Sequence, residues 1–209
     1  MYRLFYHPGD ASLAPHLVLR ELGVAYELQL VDRARLEQKS SEYLTLNPNG
    51  TIPTLLTEAG PLTEAAAICL YLTEQHAAGG LGRAAGFERG LLYQWLIYLT
   101  NTVQPSLMLF HYPERAGALE DTAIVRETAE RDATAMFARV DRFLADKPYL
   151  LGAMLSVCDL YLLMLGRWAR SFRQSPRDLP HLGPLLRRLL LRPAVQRVFE
   201  LEGIGAPFV

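Results

Sequence analysis

Cysteine is scarce in this chain. The two present, Cys69 and Cys158, sit inside apolar helical patterns with no CxxC and no His or Cys partner at zinc-ligand spacing. That excludes a disulfide framework or a zinc site and leaves two buried free thiols. Charge of one sign is missing too: 21 Lys and Arg against 22 Asp and Glu give a net charge of -1. Such a balance supplies no general field for phosphates, so nucleic acid is not an expected partner. The N-terminus, MYRLFYHPGD, lacks a basic region followed by an apolar core and a cleavage site. The cytoplasm is therefore the expected location. Residues 90–113 contain no Asp, Glu, Lys or Arg. They do contain Gln94, Asn101, Gln104 and Pro105, each costly in hydrocarbon, so a long helix covered by other helices or by a second copy is expected, not a membrane span.

What is present is 50% apolar, enough to fold, over 209 residues, a length suited to two unequal domains. Residues 1–78 alternate strand-like and helical runs in the order β-α-β-(short helix)-β-β-α. Tyr2 to Tyr6 reads as a strand ending at His7-Pro8-Gly9, and Leu13, Leu17, Val18 and Leu22 repeat at helical spacing before Gly23. Tyr26 to Val31 reads as a second strand, Thr54 to Thr57 and Pro61 to Thr63 as a hairpin, and Glu64 to His76 as a covering helix. Glycine-rich residues 79–86 break every period and form the expected linker. From 87 to 209 the pattern is helical, with a stripe at Ala133, Phe137, Val140 and Leu144 and a new start at Pro193. The expected fold is a small α/β domain over 1–78 joined to an all-α domain over 87–209.

Three segments bear on function. Leu46-Asn47-Pro48-Asn49-Gly50-Thr51-Ile52-Pro53-Thr54-Leu55 precedes the third strand, Leu62-Thr63-Glu64-Ala65-Ala66-Ala67-Ile68 opens the covering helix, and Ser156-Val157-Cys158-Asp159 is a capping box for a buried helix. Together they resemble the glutathione transferase superfamily, above all its bacterial beta class, over essentially the whole chain. The resemblance implies a thioredoxin-like N-terminal domain, glutathione as co-substrate, a small hydrophobic electrophile as second substrate, and a homodimer joined through the uncharged helix. It also implies a cis Ile52-Pro53 bond that turns the Ile52 backbone toward the cysteinyl part of glutathione. The γ-glutamyl end would lie at Glu64 and the amide of Ala65. Ala65 stands where many members carry serine, so one hydroxyl is lost. Arg35 or Lys39 would meet the glycyl carboxylate.

The family keeps the glutathione sulfur as thiolate with a donor between the first strand and first helix. Here that stretch is Tyr6-His7-Pro8-Gly9-Asp10-Ala11-Ser12-Leu13-Ala14-Pro15-His16, similar to the beta-class YxPGxCSLxxH, with Ala11 at the cysteine and Gln104 at a second hallmark, a histidine. Ser12 is expected to be the donor in preference to Tyr6, and Asp10 is an unfavourable charge unless it points away. His111, Tyr112, Trp168 and Phe172 are candidates for an apolar pocket or for core, and Arg167, Arg170, Arg173 and Arg177 for a solvent-facing surface. The alternative reading is a noncatalytic ligand-binding or protein-interaction module on the same fold.

Overall fold

The computed structural model describes residues 1–117 and 121–209. It divides into two compact units, Met1–Gly82 with Arg192–Gly205, and Arg83–Leu191 with Ala206–Val209.

The first unit holds a four-stranded sheet in the order β2-β1-β3-β4, built from β1 (Tyr2–Tyr6), β2 (Tyr26–Leu30), β3 (Thr54–Thr57) and β4 (Gly60–Thr63). β1 and β2 run parallel, joined across α1 (Leu13–Glu21), while β3 and β4 are antiparallel to their neighbours. Alternation sorts β1 between two layers. Leu4 is fully buried and Tyr2 meets Tyr71 and His76 of the α3 region (α3, Ala65–Gln75), whereas Phe5 packs edge-on against Tyr43 of α2 (Ser41–Leu46). The periodic residues Leu13, Leu17 and Val18 are all fully buried, as are Ile68 and Leu72 of α3.

The second unit is helical: α4 (Phe87–Tyr98), a π-helical turn (Leu99–Val103), α5 (Gln104–His111), α6 (Thr122–Phe143), α7 (Val157–Trp168) and α8 (Leu182–Leu190). Its centre is α7, buried on nearly every face from Val157 to Gly166. The Ser156 and Asp159 capping box forms. Asp141, at the end of α6, accepts hydrogen bonds from the backbone N–H groups of His181 and Leu182, which satisfies two orphan donors at the start of α8.

Two expectations change here. The last helix, α9 (Pro193–Leu201), packs on α1 and groups with the first unit, although the sequence division at 87–209 assigns it to the second. Its apolar stripe meets α1, and its flanks are fixed by charge: the Arg192 guanidinium donates twice to Glu21, at 2.5 and 2.8 Å. The arginine series is not simply a solvated face either. Arg167 donates to the carbonyls of Pro207 and Phe208, and Arg177 to that of Val209, so two of the four hold the C-terminal residues.

Candidate functional site

Sheet register determines which residues share an edge. Tyr6 pairs with Leu30, Phe5 with Thr54, and Thr54 with Thr63. Stepping one residue past the last β1 to β3 and β3 to β4 pairs brings Tyr6, Pro53 and Glu64 to one end of three adjacent strands, spaced by roughly 5 Å per strand. The candidates from three distant motifs therefore share a row.

The middle of the row is built by the Asn47 loop. Asn47 is almost fully buried, and its side chain accepts from the Asn49 N–H and donates to the Thr51 carbonyl at 2.7 Å. The Tyr43 hydroxyl donates to that same carbonyl, also at 2.7 Å. Gly50 is required twice over: its φ is +59°, and a Cβ there would lie 2.8 Å from the Gln38 carbonyl and from the Lys39 side chain. The Lys39 ammonium closes the loop by donating to the Asn49 carbonyl at 3.0 Å. After these anchors comes Ile52, partly exposed, whose backbone N–H and C=O make no hydrogen bond to a described residue. The Ile52-Pro53 bond is cis.

At one end of the row, Glu64 is exposed and holds a φ of +67°, in the left-handed half of backbone space where a non-glycine residue is uncommon. Such strain is characteristic of sites where chemistry or binding fixes the backbone. The first α3 bond runs from the Ile68 N–H to the Glu64 carbonyl, leaving the amides of Ala65, Ala66 and Ala67 without intrahelical partners. The buried Ala65 offers only its backbone there.

At the other end the two hydroxyls divide sharply. Ser12 is fully buried; its Oγ donates to the His7 carbonyl at 3.0 Å and accepts the His7 N–H at 3.2 Å. That hydroxyl closes the loop ahead of α1, and it is neither directed outward nor used as a helix cap. The expected donor Ser12 is thus spent on the His7 backbone, which turns attention to Tyr6. Tyr6 is partly exposed and its hydroxyl makes no hydrogen bond to a described residue. Burial, and then the Glu202 carboxylate, push the Tyr6 hydroxyl above the usual tyrosine range, so it stays a protonated donor. The Ala11 N–H is also unpaired among the described residues. Asp10 is partnered by Arg33 at 2.7 Å, which offsets the charge expected to oppose a thiolate.

Other candidates settle elsewhere. The exposed Arg35 guanidinium meets Asp32 at 3.5 Å. Trp168 and Phe172 belong to the core of the second unit, while His111 is exposed and Tyr112 partly so. Gln104 accepts the Tyr161 hydroxyl at 2.5 Å inside that unit. Cys69 is buried and its thiol is pushed far up, hence inert. The residue sequence reasoning missed is Glu202, which no local pattern distinguishes. Its buried carboxylate meets His16 Nδ1 at 2.6 Å and accepts the Gly9 N–H at 2.8 Å.

Residues 12–75 match the family model described as the glutathione S-transferase N-terminal domain. A glutathione S-transferase of Xanthomonas campestris is 31% identical over 206 residues, covering 97% of this chain and all of that one. A sphingomonad glutathione S-transferase solved in complex with glutathione is 31% identical, with a TM-score of 0.85 over 97% of this chain and all of that one. A beta-class glutathione S-transferase of Sphingomonas chungbukensis is 30% identical, with a TM-score of 0.84 and the same coverage.

Proposed function

Because the chain belongs to the glutathione S-transferase family, we propose that it conjugates the thiol of glutathione to a small hydrophobic electrophile. It is a transferase, and glutathione is its co-substrate. The observation that carries the reading is the row of Tyr6, Ile52-Pro53 and Glu64 at one sheet edge. An extended tripeptide adds to such an edge by pairing its backbone with the open N–H and C=O of Ile52. Its γ-glutamyl carboxylate then meets the unpaired amides opening α3, with the Glu64 carboxylate set toward its ammonium group. Pairing at Ile52 leaves the cysteinyl sulfur one strand away from Tyr6, within reach of a hydroxyl and of the Ala11 amide. The glycyl carboxylate falls to Arg35, whose exposed contact with Asp32 is worth little and is readily exchanged. The chemistry then needs proximity and a depressed thiol pKa, and no covalent step on the protein.

Retention on immobilised glutathione, together with turnover of a chlorodinitrobenzene, tests the reading. Binding without turnover would favour a noncatalytic binding module. Glu64→Ala should raise KM for glutathione roughly tenfold, since it removes one charged contact worth about 1.5 kcal/mol, and leave kcat nearly unchanged. An unchanged KM would remove Glu64 from the site.

The reading extends to a homodimer, to the cytoplasm, where thiols stay reduced, and to detoxification of apolar electrophiles. The dimer rests on α4, where Phe87 is 82% and Ile97 57% exposed, with Tyr93 a turn before Ile97 and no charge between Gly90 and Pro113. Self-association through that helix would be two-fold. Sedimentation should give twice 23.5 kDa at micromolar concentration, falling to the monomer in Ile97→Glu. A 23.5 kDa species alone for the unmodified protein would overturn the dimer.

A further inference from the structure

Glu202 and His16 form a hydrogen-bonded polar cluster with Tyr26 and the Gly9 amide. Both side chains are fully buried. Every polar atom of the cluster finds a complement if His16 is neutral: Nδ1–H donates to Glu202 Oε1 at 2.6 Å, and Nε2 accepts the Tyr26 hydroxyl at 3.0 Å. The second carboxylate oxygen takes the Gly9 N–H at 2.8 Å. Gly9 lies in the loop between β1 and α1 with a φ of +71°, a conformation that glycine adopts without strain. The His16 ring also packs 6.2 Å from the ring of Tyr6. Thus one carboxylate, contributed 193 residues away from Gly9, holds the loop that carries Ala11, and the histidine bonded to it packs beside the Tyr6 ring.

Structural padding alone does not account for this arrangement. A buried carboxylate is costly to desolvate, and an apolar side chain of similar volume would be the cheaper filler between α1 and α9. A carboxylate bonded at once to a loop amide and to a histidine fixes position, at the place where the donors to the sulfur must be placed to within a fraction of an ångström.

We propose that Glu202, oriented by His16, is a positioning residue for the thiol step: it holds the Gly9 loop and the Tyr6 ring so that the Tyr6 hydroxyl and the Ala11 amide meet the glutathione sulfur. The proposal rests on the reading of the row as the glutathione site. The hydrogen bonds of Glu202 run to Gly9 and His16 and not to Ile52 or Glu64, so glutathione binding and thiol activation should separate.

Glu202→Asp keeps the charge but shortens the reach by one methylene, and Glu202→Gln keeps the reach while losing the charge. In Glu202→Gln the amide oxygen can still accept the Gly9 N–H, and His16 can switch tautomer to accept from the amide NH2. We expect Glu202→Asp to lower kcat tenfold or more with KM for glutathione within about twofold, and to raise the apparent pKa of bound glutathione by about one unit, as loss of a donor to a charged acceptor requires. Glu202→Gln should restore most of both. Equal loss in kcat and in glutathione affinity for Glu202→Asp would mean general loosening and overturn the proposal, as would wild-type kcat and pKa. If Glu202→Asp fails to fold, Glu202→Gln decides: a folded Gln variant with a thiol pKa raised as far as free glutathione refutes positioning by reach. Should the unmodified protein itself leave bound glutathione at its free-solution pKa, the glutathione-site reading falls and takes this proposal with it. A depressed pKa in the unmodified protein that Glu202→Asp leaves equally depressed sinks the positioning role alone.

Discussion

Asp159→Ala should cost the helical unit at least about 3 kcal/mol, enough to move its urea midpoint down by about 1 M or more. The side chain is fully buried and accepts three hydrogen bonds: the Leu150 N–H at 2.7 Å on Oδ1, and the Ser156 N–H and hydroxyl at 2.8 and 2.7 Å on Oδ2. Truncation leaves two backbone donors and a hydroxyl buried without partners, each costing about 1 to 3 kcal/mol. Asp159→Asn should fare little better, because its NH2 group would face either the Leu150 donor or both Ser156 donors. Both tryptophans of the chain, Trp95 and Trp168, lie in this unit, so tryptophan fluorescence reports its unfolding without interference from the sheet. The pH dependence has a definite sign. Burial pushes the Asp159 carboxyl above the usual carboxylate range despite its three donors. The unfolded chain therefore ionises first, and the stability this group supplies is full below its unfolded pKa and declines as pH rises through the folded one. The gap between wild type and Asp159→Ala should narrow with rising pH. A midpoint shift under 0.3 M would show the site refilled or rewired, and a gap that widens with pH would show that the donors outweigh burial.

The elements that were legible in advance are those whose pattern and partner are both local. β1 alternates and ends at Pro8-Gly9, α1 repeats at helical spacing, and the hairpin at Thr54 to Thr63 has its turn between its strands, so periodicity and turn chemistry were sufficient. The capping box is equally local, since Ser156 and Asp159 lie within one turn. α9 shows where this stops. Its apolar stripe announced a buried face, but periodicity does not say what the face meets, and the pairing of Arg192 with Glu21 joins residues 171 positions apart. Arg167 and Arg177 read as solvated charge for the same reason, because the carbonyls they hold belong to the last three residues.

The site itself was half legible. Ile52, Glu64 and Ala65 lie within two contiguous motifs, and the register of the sheet brings Pro53 and Glu64 into one row with Tyr6. The strained backbone at Glu64 has no sequence signal, since glutamate is an ordinary residue at a helix start. Ser12 was hard to read because a serine before a helix has three competing uses: capping the helix, facing a ligand, or bonding back to its own loop. Only coordinates separate them, and here the third wins, with both the donor and the acceptor capacity of Oγ directed to His7. Glu202 was invisible, because a carboxylate just past the last helix has no pattern that ties it to a glycine near the other end of the chain.

Tyr6→Phe should raise the apparent pKa of bound glutathione by about one to two units and lower turnover tenfold or more, with glutathione affinity nearly constant. The Tyr6 hydroxyl is the partly exposed donor at the β1 end of the row with no described hydrogen-bond partner, and burial with the Glu202 charge keeps it protonated well past neutral pH. A donor to a charged acceptor is worth roughly 1.5 to 3 kcal/mol, which is the size of that shift. Affinity should hold because, in the proposed site, the peptide part of glutathione pairs with Ile52 and the α3 amides, which the substitution does not touch. Ser12→Ala should act differently. Losing both bonds to His7 loosens the loop and destabilises the first unit by about 1 to 2 kcal/mol, and the thiol pKa should move less than in Tyr6→Phe. Ultraviolet titration of the thiolate in the two variants, alongside their melting temperatures, separates the cases. A larger pKa shift in a stably folded Ser12→Ala than in Tyr6→Phe would return the donor role to Ser12. An unshifted pKa in both would leave the backbone amide of Ala11 as the group that holds the sulfur, and the family's side-chain donor would then have no counterpart in this loop.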